Sequence, residues 1–146
     1  MADHSGAAEE IADKEINMNN WKYFIEVSSK DVFDEIEEKY NVKLPEELRA
    51  FFVAHNAATP DKHCFKADGR EHVFGATLSV NRGEDDTDTI YTAFAVMQNG
   101  SLVPFGIDPF GNYICLCGDK VVFWDHESGG TAATGLDLST FVDSLY

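Results

Sequence analysis

The sequence predicts an α+β fold. It reads as a single domain in which a mainly antiparallel sheet is packed by an N-terminal helical hairpin, a middle helix and a C-terminal helix. Three observations carry this reading. Residues 29–55 hold two stretches with apolar side chains at helical spacing, parted by a proline-bearing break. Residues 102–124 hold short apolar runs parted by turn residues, the pattern of a strand meander. Strands and helices are segregated along the chain rather than strictly alternating. With 146 residues the chain is one domain by length and buries a core without disulfide or metal support.

Residues 1–19 are small, acidic and free of aromatics, and read as a poorly ordered leader to a domain spanning 20–146. The run from Trp21 to Val27 is too mixed in period to assign. Ser28 and Ser29 offer an N-cap, and Asp31 completes a capping-box-like pattern with Ser28. Val32, Phe33, Ile36 and Tyr40 then form the apolar stripe of a first helix, with acids and Lys39 on its solvated face. Pro45 suits the first turn of a second helix, Glu46 and Glu47 favour its positive end, and Leu48, Phe51, Phe52 and His55 give its stripe. His55 is expected as a helix-end imidazole hydrogen-bonded to backbone. Asn56 to Pro60 ends the hairpin.

Beyond this the period changes to two. Cys64 to Lys66 is a short strand, and residues 73–80 form a longer extended region with a bulge at Gly75. Residues 81–86 are a loop, and Asp86 or Asp88 caps a third helix bearing Ile90, Ala93, Phe94 and Met97, stopped at Asn99-Gly100. Leu102 to Phe105 is extended, and Asp108 to Asn112 is a turn in which Gly111-Asn112 tolerates left-handed backbone. Tyr113 to Cys117 and Val121 to Trp124 are strands joined at Gly118-Asp119. Residues 128–135 are a loop, and Leu138, Phe141, Val142 and Leu145 mark the terminal helix.

Charge is distributed unevenly. The 26 acids and 11 Lys+Arg give a formal net charge of −15. Residues 1–82 carry 16 acids and 10 bases, whereas residues 83–146 carry 10 acids and one base, Lys120. Such a surface repels phosphate, which argues against nucleic-acid and anionic-membrane binding and favours a basic partner. Solubility alone is the competing explanation of the same charge. No stretch approaches the roughly 20 apolar residues of a membrane span. The absence of a signal-peptide pattern and the odd count of cysteines (Cys64, Cys115, Cys117) point to free thiols in a reducing cytoplasm.

No catalytic, metal or cofactor constellation is specific. Cys115 and Cys117 share one face of a strand, but a zinc site needs two more ligands, and core packing is the better reading. Asp125-His126-Glu127 ends a strand, where adjacent side chains point to opposite faces and do not converge on one atom. A structural or partner-contact role fits that triplet better than acid–base chemistry. The run Glu84-Asp85-Asp86 with Asp88 lacks the glycine and terminal glutamate of a calcium-binding EF-hand loop and reads as a solvated loop.

Four segments together resemble the SUKH superfamily, which includes bacterial immunity proteins and the Smi/Knr cell-wall regulators of yeast. They are Trp21-Lys22 with Glu26-Val27-Ser28, then Leu44-Pro45-Glu46-Glu47 through Phe51-Phe52 to His55-Asn56-Ala57. Pro104-Phe105-Gly106 with Asp108 to Cys115 follows, and then Val121 to Glu127, closed by the helix of Phe141 and Leu145. The resemblance covers about residues 20–146. The chain departs from the family in placing Ala57-Ala58 where glycines usually follow Asn56, and Asn112 where an acid is common.

The resemblance implies a non-enzymatic cytoplasmic immunity protein of bacterial type. Such a protein binds a cognate toxin, for instance a nuclease with a basic groove, and neutralises it by occlusion. The contact surface is then expected among Glu84, Asp85, Asp86, Asp88, Asp125 and Glu127, with exposed aromatics as anchors. The alternative is a regulatory interaction scaffold like the yeast relatives. Neither reading calls for a metal, a cofactor or a catalytic residue, and neither fixes the oligomeric state.

Overall fold

The structure, a computed structural model, describes residues 19–83 and 87–146. The expected α+β architecture is present. Its elements run β1 (Trp21–Lys22), α1 (Asp31–Tyr40), α2 (Glu46–His55), β2 (Thr59–Pro60), β3 (Cys64–Ala67), β4 (Arg70–Val73), β5 (Ala76–Thr77), α3 (Ile90–Met97), β6 (Val103–Ile107), β7 (Tyr113–Cys117), β8 (Lys120–Trp124), β9 (Thr131–Ala133) and α4 (Leu138–Ser144). A five-stranded antiparallel sheet in the order β5-β6-β7-β8-β9 is flanked by two short two-stranded ribbons, β1-β2 and β3-β4.

The helical hairpin forms because the two stripes face each other. Val32, Phe33 and Ile36 of α1 and Leu48, Phe51 and Phe52 of α2 are buried, with the Phe33 and Phe52 rings 6.2 Å apart. Asn41 ends α1 in the left-handed conformation at φ 54°. The start of α1 differs from expectation. Its N-cap is Lys30, without a side-chain cap bond, and Ser29 rather than Ser28 contributes, its Oγ accepting from Asp31 N–H at 3.3 Å. The Ser28 backbone N–H is instead drawn to Asn81 Oδ1, at 2.9 Å. Pro45 is itself the N-cap of α2, one residue ahead of the first turn.

His55 does not behave as expected. Its ring stacks on Trp21 at 4.2 Å, and its Nδ1 is buried without a hydrogen-bond partner among the described residues. Burial holds the imidazole pKa below its ordinary value, so the neutral ring is favoured in this aromatic setting. The polar work at this end of α2 falls to Asn56, which is fully buried. Its Nδ2 donates to Ile25 O at 3.0 Å and to Ser79 Oγ at 3.3 Å, and its Oδ1 accepts from Val80 N–H at 2.9 Å. Asn81 repeats the device, donating to Glu26 O at 2.8 Å. Two asparagines therefore stitch residues 25–28 to residues 79–81, which explains why that segment is ordered without a hydrophobic period of its own.

The extended region 73–80 is divided between two sheets. β4 pairs with β3 through a turn at Asp68-Gly69, and the chain crosses at Gly75, whose N–H donates to Ile107 O at 2.9 Å, into β5. The register irregularity lies on β6, between Pro104 and Gly106, and not at Gly75. The cap of α3 is Thr89, whose side chain accepts from Thr92 N–H, and neither Asp86, which lies outside the described residues, nor Asp88. Gln98, at φ 49°, closes that helix one residue before Asn99.

The meander β6-β7-β8 follows the expected runs, and the region read as a loop at 128–135 contains the edge strand β9. One face of β7 packs on α3, with Cys115 Sγ 3.9 Å from Met97 Sδ. Cys115 is buried, and burial raises its thiol pKa, whereas Cys117 at the strand end is exposed, so the two thiols share a face but not an environment. The opposite side is an aromatic core in which Phe51, Phe74 and Phe141 surround Phe105 with ring centroids 5.6–6.2 Å apart.

Candidate functional site

The most elaborated surface lies where the β6–β7 turn, the end of β8 and the β3–β4 hairpin meet. The turn is organised by Asp108, a carboxylate that is 7% exposed. Its Oδ1 accepts from the N–H groups of Phe110 (2.9 Å) and Asn112 (2.8 Å), and its Oδ2 accepts from Asn112 Nδ2 at 2.9 Å. Gly111 takes φ 88°, the left-handed backbone expected there, and the turn holds Phe110 out at 73% exposure. The Asp108 network thus fixes the turn that presents this apolar ring to solvent.

The same network reaches the next strand. Asn112 Oδ1 accepts from the backbone N–H of His126 at 3.0 Å and lies 2.6 Å from His126 Nδ1. Asp108 engages the Asn112 Nδ2, so the amide oxygen is the end that faces His126. Asp125 builds the following turn: its Oδ1 accepts from Glu127 N–H at 2.9 Å and its Oδ2 from Ser128 Oγ at 3.3 Å.

Across from these loops stands the hairpin. Phe123 of β8 supports it, stacked on His72 at 4.0 Å and 6.3 Å from Phe65. Two hollows of about 450 and 430 Å³ lie along this junction and adjoin at His72, Phe123 and Asp125; together they are termed the groove. Glu71, Asp125 and Glu127 line its first part together with Phe110. Asp68 and Arg70 line the second. Tyr146 donates its hydroxyl to Glu71 Oε2 at 2.7 Å, which raises the phenol pKa to about 12 and holds that carboxylate in place.

The expected site residues divide. Asp125 and Glu127 fall together on this groove. Asp88 is exposed beside a different hollow of about 240 Å³, near Tyr23, Ala57 and Thr77. Glu84, Asp85 and Asp86 lie outside the described residues. Sequence reasoning did not single out Phe110, Glu71 or His72. Phe110 was detectable, because an aromatic between Pro109 and Gly111 inside a turn has no core to enter. Glu71 and His72 were not, because their place depends on the hairpin packing over Phe123. The arrangement presents an exposed aromatic ring beside the carboxylates of Glu71, Asp125 and Glu127. Among the described residues no group of three or more His, Cys, Asp or Glu side chains is placed to hold a metal ion, and no helix is long and apolar enough to cross a membrane.

The family model described as SMI1 / KNR4 family (SUKH-1) matches residues 28–144. That span contains every lining residue of the groove, and it leaves out the Trp21 to Val27 segment that the resemblance had included. Comparison with curated proteins and with solved structures returned no match.

Proposed function

The chain belongs to the SMI1 / KNR4 family (SUKH-1), and from that membership we propose that it is a cytoplasmic immunity protein that binds a cognate toxin domain and neutralises it by occlusion. The observation that carries the proposal is the groove, where an aromatic ring is held in solvent beside Glu71, Asp125 and Glu127. Hot spots of protein interfaces combine a central anchor with surroundings that exclude water, and Phe110 has that form.

The charge supports the choice of a basic partner. A chain of net charge −15 attracts a cationic surface at long range and accelerates encounter, and the acids at the groove then fix the register. A nuclease domain, with cations arranged for phosphate, fits this chemistry. No bond is made or broken in such inhibition, so the chain requires no catalytic residue, metal or cofactor. The groove alone is smaller than a full interface, which typically buries roughly 1,600 Å² in total. The acidic stretch Glu84 to Asp88 is proposed as part of the remainder.

Co-expression with the product of the adjacent gene tests the proposal, read as cell survival and co-purification. Killing by that product alone, rescue by this chain and a stable complex are the expected results. Killing without rescue or complex would overturn the reading for that partner and favour a regulatory scaffold of the Smi/Knr kind.

A further inference from the structure

The β3–β4 ribbon is capped on its β3 edge at Cys64 and is open along its β4 edge. In an antiparallel pair, residues alternate between those that exchange backbone hydrogen bonds with each other and those whose N–H and C=O point outward. The Phe74 N–H donates to His63 O at 2.6 Å, which makes that pair hydrogen-bonded. Stepping along the register, Phe65↔His72 is likewise bonded, and Cys64↔Val73 and Lys66↔Glu71 point outward. The outward groups of Cys64 confirm this phase, because they are taken by Tyr146. Cys64 N–H donates to Tyr146 O at 2.8 Å, and Tyr146 N–H donates to Cys64 O at 3.1 Å. On the other side, the N–H and C=O of Glu71 and Val73 have no partner among the described residues.

That open edge borders the groove. Glu71, His72 and Val73 all line the same hollow. Successive strand residues point to opposite faces, so only a hollow lying against the strand's edge touches all three. The facing wall carries Phe110, Asp125 and Glu127.

We propose that an extended, basic segment of the partner docks here as a third strand on the β3–β4 ribbon. It forms up to four backbone hydrogen bonds with Glu71 and Val73, and its side chains meet Phe110 and the carboxylates opposite. The main-chain bonds hold the segment and the flanking side chains select it, as in other strand-addition complexes. The choice of a basic occupant follows from charge: Glu71, Asp125 and Glu127 bound this part of the groove without a lysine or arginine among its lining residues. The inference rests on the reading of the chain as a protein-binding module and adds how the partner is held.

Amide hydrogen exchange on the full chain tests it, with the heptapeptide acetyl-Lys-Val-Lys-Val-Lys-Val-Lys-amide as probe and a Glu-Val analogue as control. In the free protein the Glu71 and Val73 amides exchange freely while Phe74 is protected. Saturating basic peptide slows both open-edge amides by about tenfold or more, and the acidic analogue does not. Val73→Pro removes one outward donor at an edge position that tolerates proline, and Glu127→Lys reverses one facing charge. Each weakens the basic peptide by about tenfold, equivalent to about 1.4 kcal/mol. Peptide that fails to bind, or binds and leaves the two amides unchanged, overturns the proposal. Protection of those amides that grows with protein concentration overturns it in favour of a second copy at this edge. Because the probe is not the toxin, failed rescue in co-expression and failed strand addition are read separately.

Discussion

Asn56→Ala removes the side chain on which the packing of residues 25–28 depends, and its effect follows from three bonds. Val80 is fully buried, so its N–H loses its acceptor where water does not reach. An orphaned buried donor costs about 1–3 kcal/mol. The Ile25 carbonyl is half-buried and recovers part of its loss from solvent, and Ser79 Oγ keeps the N–H of Asn81 at 3.1 Å. These two ordinary bonds add about 0.5–1 kcal/mol each. The sum is about 3 kcal/mol, a large share of the 5–15 kcal/mol typical of a whole domain. In equilibrium urea denaturation with a slope of about 2 kcal/mol/M, the midpoint falls by about 1.5 M with the slope unchanged. Asn56→Asp is expected to be at least as damaging at neutral pH, because a carboxylate would then face the Ile25 carbonyl. A loss below about 1 kcal/mol for the alanine variant would refute the assignment of Asn56 as the buried clamp.

Four further outcomes follow from the same structure. Phe110→Ala leaves stability within about 0.5 kcal/mol in urea denaturation, since the ring is 73% exposed, yet weakens the proposed toxin complex by about 2 kcal/mol or more in titration calorimetry. Gly106→Ala places a Cβ 2.4 Å from a ring carbon of the fully buried Phe74 and destabilises by about 1–3 kcal/mol in the same denaturation assay. Ala57→Gly relieves a residue held at φ 61°, but the lost buried methyl and the glycine's greater unfolded-state entropy offset that relief, so the midpoint moves by the equivalent of no more than about 0.5–1 kcal/mol. Glu37 accepts from Leu44 N–H at 2.7 Å and pairs with Arg49 at 3.0 Å, and the Leu44 bond, foremost, holds its pKa below the ordinary value of 4.5. Its contribution is therefore present above that value and is lost as pH falls through the lowered one, so Glu37→Gln flattens the acid limb of a stability–pH curve.

The helices were legible because each carries a stripe wide enough to define a face. The meander β6-β7-β8 was legible because its turns hold Asp-Pro, Gly-Asn and Gly-Asp between apolar runs. What stayed hidden had a local cause in each case. β9 is Thr131–Ala133, an exposed edge strand with no large side chain to set a period. The break between β4 and β5 is marked in the run Val73 to Val80 only by Gly75, which reads equally as a bulge, because both halves are extended and only their partners differ. The polar contacts of Ser28 are drawn away by Asn81, a residue 53 positions distant. At the site, acidity marked Asp125 and Glu127, and the family motif marked the Asp108 turn. The open edge of β4 depends on ladder phase, which a single sequence does not encode locally.

The central claim is that an acid-bounded groove anchored by Phe110 holds a basic toxin. Its most direct test is the dissociation constant of the purified complex measured against salt, for the wild-type chain and for Glu127→Lys. The expected result is affinity that falls steeply from low salt to about 1 M, where screening acts over about 3 Å, with a weaker complex and a shallower slope for the variant. Affinity that is unchanged across that range, and equal in the two proteins, would contradict electrostatic docking at this groove.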